Sequence, residues 1–278
     1  MRTVELPSGG RMPAFGIGTW RMGENPRRRA AEADIVRIAL DLGCRLIDTA
    51  EMYGNGGAEL FIGDALAGRP RDEIYLVSKV YPHNATRRGT VEACERSLKR
   101  LRVERIDLYL LHWRGSVALS ETAEAFHRLR EAGKIGDFGV SNFDTDDMTE
   151  WSRFDRDLTG ANQVMYNLAR RGAEYALRPL LRRKRIALMA YSPLDQASGL
   201  LRHATVRGVA QRHGATPAQV VLAWLLRQPD VVVIPKSSDP ERTRENWGAL
   251  NVALTQADAD ELERAFPAPQ RKQPLDMS

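Results

Sequence analysis

Four side chains, Asp48, Tyr53, Lys79 and His112, are of the types that hold or transfer a proton. A tyrosine has a phenolic proton to give, but a pKa of about 10 makes it a weak acid near neutrality. A neighbouring ammonium such as Lys79 would stabilise the phenolate, each unit of lowering being worth about 1.4 kcal/mol. Asp48 would keep that lysine charged and in place. His112 would donate to an oxygen on which negative charge develops. Singly, none of the four decides. Asp48 is as readily a helix N-cap, Tyr53 a ring packed on a loop rim, Lys79 a solvated strand end and His112 a structural histidine.

Their spacing carries more. Asp48, Lys79, His112, Ser141, Gln163, Tyr191 and Lys236 each close or follow a short apolar run, at successive gaps of 31, 33, 29, 22, 28 and 45 residues. A strand-loop-helix-loop unit takes about 30 residues. The strand-like runs are Arg45–Ile47, Ile74–Val77, Ile106–Leu111, Ile135–Val140, Ala161–Met165, Ile186–Ala190 and Val231–Ile234, with one more near Phe15–Gly18. Between them the apolar period is helical: Ile35, Ile38, Ala39 and Leu42 fall at i, i+3, i+4 and i+7, as do Thr122, Ala125, Phe126 and Leu129. Strands joined through helices run parallel, and eight such units predict a closed (β/α)8 TIM barrel, one domain over residues 1–278. A hairpin of Thr3–Leu6 with Met12–Phe15 would plug its bottom. A further helix near Gln256–Phe266 and a Pro-containing tail would follow the last unit. The polar strand ends would then converge on the one face where barrel sites sit.

Composition narrows the function classes. The net charge of +5 arises from 41 Lys and Arg against 36 Asp and Glu. The arginines are scattered among acidic residues over almost every predicted helix, which argues for a mixed surface and against nucleic-acid binding. No apolar run reaches the length of a membrane helix; Val220–Ile234 is broken by Arg227-Gln228-Pro229-Asp230. Two cysteines form no disulfide framework, and five histidines without a His-x-His pair give no metal-ligand set. No signal-like run opens the chain, so a cytoplasmic, monomeric protein is expected.

Specific strings surround these residues. They are Gly16-Ile17-Gly18-Thr19-Trp20, Leu46-Ile47-Asp48-Thr49-Ala50-Glu51-Met52-Tyr53, Val77-Ser78-Lys79 and Leu108-Tyr109-Leu110-Leu111-His112-Trp113. Further along are Gly139-Val140-Ser141-Asn142-Phe143, Ala190-Tyr191-Ser192-Pro193-Leu194 and Ile234-Pro235-Lys236-Ser237. In this order the chain resembles the aldo-keto reductase family, in particular its small bacterial methylglyoxal reductase-like branch. The resemblance implies Tyr53 as general acid, Lys79 and Asp48 as its supporting pair, and His112 as the group that orients the carbonyl. It implies NADPH bound in extended form on the barrel, with a small carbonyl compound as substrate.

Gly16-x-Gly18 is not a Rossmann fingerprint, because Arg21 stands where the third glycine belongs. The segment Lys236–Asn246 is the better cofactor candidate. It leaves a strand and opens a helix whose free N–H groups would attract an anion. Arg242, Glu245 and Asn246 share a helix face; with Lys236 and Ser237 they suit a ribose 2′-phosphate and adenine, although Arg242 could be one more surface arginine. The resemblance adds Ser141, Asn142 and Gln163 as carboxamide anchors and Tyr191 as the plate behind the nicotinamide, where a core aromatic is the alternative. It also adds Ser192, Leu194, Gly18, Thr19 and Trp20 along the cofactor.

Two positions depart from the family pattern. Arg114 follows His112-Trp113 where proline is common, and could favour an anionic substrate. Asp195 follows Leu194 where glycine is common, and must point away from phosphates. A helix resuming near Ser120 implies short walls and a shallow pocket lined by Trp20, Met52, Tyr81, His112 and Trp113. Small aldehydes and α-oxo aldehydes are the expected substrates. A cofactor-bound regulatory module without turnover and a metal-dependent barrel hydrolase are the competing readings.

Overall fold

The computed structural model describes residues 2–197 and 199–277. Its centre is one sheet of eight parallel strands: β3 (Gly16–Gly18), β4 (Leu46–Asp48), β5 (Tyr75–Val80), β6 (Ile106–Leu111), β7 (Ile135–Ser141), β8 (Thr159–Met165), β9 (Ala187–Tyr191) and β10 (Val231–Val233). They pair strictly in chain order, β3 to β10. Bridges Phe15–Val233 and Gly18–Lys236 close β10 back onto β3, so the predicted barrel is the observed one.

Helices α1 (Arg29–Asp41), α2 (Gly57–Leu66), α3 (Arg87–Leu101), α4 (Leu119–Glu131), α5 (Thr145–Trp151), α6 (Leu177–Arg183), α7 (Ala204–Arg212), α8 (Pro217–Leu226) and α9 (Pro240–Trp247) surround the strands, and α10 (Gln256–Ala265) follows. Several starts are written in the sequence. Thr86 accepts from the Gly89 N–H at the head of α3, and Thr216 with Gln219, and Thr255 with Asp258, form reciprocal capping boxes. None of the described helices is long and apolar enough to cross a membrane.

Two hydrophobic layers result. One lies between strands and helices. The other fills the barrel, where Leu46, Val77, Leu108, Ala161, Met189 and Val232 meet Val4, Leu6 and Met12 of the N-terminal hairpin. Each such side chain stabilises the fold by about 1.5–3 kcal/mol through burial. The hairpin is therefore a plug, as expected, but shorter: β1 is Thr3–Glu5 and β2 is Arg11–Pro13. Hydrogen bonding runs one residue past Pro13, where the Ala14 N–H donates to the Arg2 carbonyl at 3.0 Å, and Phe15 then joins the barrel seam.

Other boundaries shift by a few residues. β5 runs on through Lys79 to Val80, and β8 begins earlier, at Thr159, while ending at Met165 with Gln163 two residues inside that end. The alternation of strand residues still turns both side chains toward the rim of the barrel.

Candidate active site

The Tyr53 turn is shaped by close backbone packing. Gly54 adopts a φ of +56°, and a Cβ there would lie 2.4 Å from the Gly23 backbone. Only glycine lets these two loops cross so closely. The turn carries Tyr53 from the end of β4 back over the barrel mouth, where it meets Lys79.

Lys79 has no exposed surface and Asp48 is 2% exposed. A buried ammonium requires partners. Nζ has both Asp48 carboxylate oxygens at 2.9 Å and the Thr49 carbonyl at 2.8 Å. Gln163 Nε2 gives Asp48 Oδ1 a second donor at 2.7 Å. Thr19 donates its hydroxyl to the Asp48 carbonyl, so that side chain is spent on fixing the strand end. Burial lowers the proton affinity of Lys79 and raises that of Asp48, while their mutual attraction opposes both shifts and holds the ion pair.

Tyr53 Oη lies 3.4 Å from Lys79 Nζ, which also stands 5.0 Å from the ring centroid. The tyrosine is not activated in the sense expected from the sequence. Burial, and then the Asp48 charge, raise its pKa well above the ordinary value. Burial and the Asp48 charge outweigh what Lys79, directed at Asp48 and Thr49, offers the phenol. Tyr53 keeps its proton throughout the neutral range.

His112 follows β6, edge-on to Tyr53 with ring centroids 5.6 Å apart. Burial and the nearby Lys79 charge push its pKa well below the usual value, so the imidazole is neutral. Its Nδ1 is buried without a partner among the described residues. An orphaned lone pair is more tolerable there than an orphaned N–H, which favours the tautomer with the proton on Nε2.

Beside this cluster lies a second one. Ser141 donates to the Gln163 carbonyl at 2.8 Å. Asn142, at a φ of +59°, donates to the His112 carbonyl and to Ser141 Oγ, both at 3.2 Å. Tyr191 donates to Asn142 Oδ1 at 2.9 Å. The donors of this trio are largely engaged within the protein. What remains is acceptor capacity, on Asn142 Oδ1 and on Gln163 Oε1, which has no protein partner among the described residues. Ser192 turns the chain with a φ of +48°, and Leu194 packs on the core.

On the substrate side, Tyr81 meets Trp113 at 5.0 Å between ring centroids, and Trp113 lies 4.9 Å from His112. Trp20 is half-buried with Arg21 stacked on it at 4.3 Å, and Met52 is exposed. Arg114 is not free for an anionic substrate, because Glu150 and Asp147 of α5 hold it at 3.0 and 3.7 Å. Asp195 pairs with Arg170 at 3.2 Å.

The cofactor segment needs one correction. The N–H groups that open α9 are not free: Asp239 accepts from those of Glu241 and Arg242. A carboxylate already caps this helix, so an anion would be held by side chains. Lys236 and Arg242 are exposed and have no ion-pair partner among the described residues. Arg21 and Arg28, which the spacing did not single out, add positive charge next to Lys236 and lower its proton affinity along with burial. Ser237 and Asn246 line a narrow crevice with Gly18, Thr19 and Thr243, and Glu245 stands half-buried beside it. Among the described residues no group of three His, Cys, Asp or Glu is placed to hold a metal ion.

The aldo/keto reductase family model matches residues 14–266. The chain belongs to the aldo/keto reductase family. It is 45% identical to methylglyoxal reductase YeaE of Escherichia coli over 271 residues, 96% of this chain and 95% of that protein. It is 36% identical to glyoxal reductase of Bacillus subtilis, over 94% of this chain and 91% of that one. Among solved structures, an aldo-keto reductase from Klebsiella pneumoniae in complex with NADPH superposes with a TM-score of 0.95 at 44% identity, covering 100% of this chain and 99% of that one. An aldo/keto reductase barrel is thus the frame in which Asp48, Tyr53, Lys79 and His112 stand together.

Other residues of the site had weaker signals. Thr49 supplies a carbonyl, which no side-chain pattern reveals. Glu59 is fully buried and bonds Ser78 and Arg100. Its signal was a charge inside the apolar run Ala58-Glu59-Leu60-Phe61-Ile62.

Proposed function

We propose that this protein reduces small aldehydes and α-oxo aldehydes, such as methylglyoxal, to alcohols with NADPH. The observation that carries the reading is the phenol of Tyr53 at 3.4 Å from a fully buried lysine, under a neutral histidine, at an open aromatic mouth. Bound NADPH would supply the hydride. The chain's own groups suit the cofactor. Acceptors on Asn142 and Gln163 fit the amide protons of a carboxamide, and Tyr191 offers a flat half-buried ring. Lys236, Arg242, Arg21 and Arg28 are cations suited to phosphates, and Asn246 lines the adjoining crevice.

His112 donates from Nε2 to the carbonyl oxygen and fixes its direction. Tyr53 then gives its proton to that oxygen, which as an alkoxide is a far stronger base than a phenolate. Lys79 stabilises the phenolate that remains, and Asp48 keeps Lys79 charged. Substrate breadth follows from the walls. Trp20, Tyr81 and Trp113 provide apolar faces, and Arg114, which follows Trp113, is already paired with Glu150.

The test is loss of the near-ultraviolet absorbance of reduced nicotinamide when NADPH meets methylglyoxal and a panel of other carbonyls. Tyr53→Phe should keep its NADPH affinity and lose most turnover. Full activity in that variant, or turnover of a single bulky ketone alone, would overturn the reading. Cofactor binding with no consumption would leave only a binding module.

A further inference from the structure

Glu59 is the most deeply buried carboxylate that the proposed chemistry does not use. It lies in the first turn of α2, six residues after Tyr53, and has no exposed surface. One oxygen accepts from Ser78 Oγ at 2.6 Å, and the other from Arg100 Nε at 2.6 Å. Ser78 immediately precedes Lys79 on β5. Arg100, near the end of α3, lies flat against the turn that carries Tyr53: a Cβ on Gly56 would stand 2.7 Å from its Cδ. One carboxylate thus joins the strand of Lys79, the helix that starts from the Tyr53 turn, and the arginine that backs that turn.

We infer that Glu59, clamped by Ser78 and Arg100, is a positioning residue of the active site: it seats the Tyr53 turn over Lys79 and holds the proton on that lysine. This rests on the reading of Tyr53 and Lys79 as the proton-delivering pair.

The charges around both groups bear out the second half. Lys79 faces Asp48 from β4, Tyr53 from the turn, His112 from β6 and Glu59 from α2. Burial pulls its proton affinity down, and Asp48 and Glu59 are the two charges that push it up. Glu59 in turn faces Arg100, the Cys94 thiol and the Tyr109 phenol, both of which its charge helps keep protonated. A second carboxylate behind the site makes Lys79 less dependent on Asp48 alone.

The chain has only six lysines, at 79, 99, 134, 184, 236 and 272, so Lys79 can be followed directly. The experiment is an NMR titration of lysine labelled at Cε in the full chain, run beside the pH profile of kcat. Glu59→Gln keeps an acceptor for Ser78 but removes the charge. It should lower the Lys79 midpoint by about one unit and carry the alkaline limb of kcat down with it. Arg100→Gln removes the opposing charge and should move both upward. A purely structural role would reduce kcat in both variants and leave the midpoint in place. Glu59→Asp, with the charge restored on a shorter arm, should return the midpoint toward wild type even if its melting temperature falls. An unmoved midpoint, or shifts of the same sign in the two Gln variants, overturns the inference. Arg100 is partly exposed, so its variant carries the test even if Glu59→Gln fails to fold. Midpoints that move as stated while the kcat limbs stay fixed would leave the electrostatic role standing and remove Lys79 from the proposed chemistry.

Discussion

Lys79→Met separates what the buried pair does for stability from what it does for chemistry. The ammonium has no exposed surface and three oxygens within 2.9 Å. Methionine fills a similar volume, so little cavity cost arises. What is lost is the counter-charge of Asp48, which keeps only the Gln163 donor at 2.7 Å. Removing one partner of a buried ion pair costs about 3–5 kcal/mol. With an unfolding entropy of about 2.1 cal/mol/K per residue, a chain of this length would melt roughly 5–9 °C lower. The pH dependence has a definite sign. Burial raises the Asp48 pKa, and Lys79 is the main opposing influence. Without it the folded-state pKa lies further above the unfolded value. Such a group contributes its full stability below the unfolded pKa and loses it as pH rises through the folded one. The deficit should therefore be largest near neutrality and shrink as pH falls toward about 5. Asp48→Asn/Lys79→Met removes the stranded charge and should recover most of the melting temperature, while both variants stay inactive. Circular-dichroism melts at the two pH values decide the matter. A single variant as stable as wild type, or a double variant no better than the single, would refute the account of the pair.

Arg242→Ala should weaken NADPH at least tenfold more than NADH, read by fluorescence titration; equal weakening would remove it from the 2′-phosphate. Arg114→Ala breaks an exposed pair with Glu150, so turnover of small aldehydes should stay within about twofold and stability within about 1 kcal/mol; a large loss of activity would return Arg114 to the substrate. Asp230→Asn tests the base of the barrel. Arg178 and Arg182 hold that carboxylate at 2.9 Å and far below the usual carboxylate range. A depressed folded-state pKa contributes stability above the unfolded value and loses it as pH falls through the folded one, so the variant should be about 1–3 kcal/mol less stable at neutrality, with the difference beginning to shrink only below about pH 4 in denaturant titrations.

The barrel was legible because its signal is periodic. One polar residue per thirty or so, each at the end of a β-branched run, survives errors of several residues in any single strand. Gln163 shows the limit, since β8 runs on two residues past it to Met165 and the glutamine does not close its strand. The hairpin was found for the same reason and misjudged at Phe15, where a tertiary bridge to Val233 outweighs local pairing. Charged side chains were read least well. Arg114 and Asp195 each gained a meaning only through a partner elsewhere: α5 and Arg170. No local pattern encodes which of 41 basic residues meets which of 36 acidic ones.

Tyr53 is where sequence logic and structure differ most usefully. The expectation was an acid made stronger by its lysine. The structure instead holds a tyrosine that clings to its proton, because burial and the Asp48 charge outweigh what the lysine, directed at Asp48 and Thr49, offers it. For a reductase this is no handicap. In the proposed chemistry the acceptor develops alkoxide character, so a phenol that is fully protonated at neutral pH is always in the form that donates. The reverse reaction is different. Oxidation of an alcohol needs Tyr53 as a phenolate, and burial with Asp48 behind it makes that form rare near neutrality. The neutral His112 points the same way, since it can donate to an oxygen without having to lose a charge first. In the proposed chemistry, the same burial that makes the Lys79–Asp48 pair costly therefore keeps Tyr53 in the protonated form that carbonyl reduction uses.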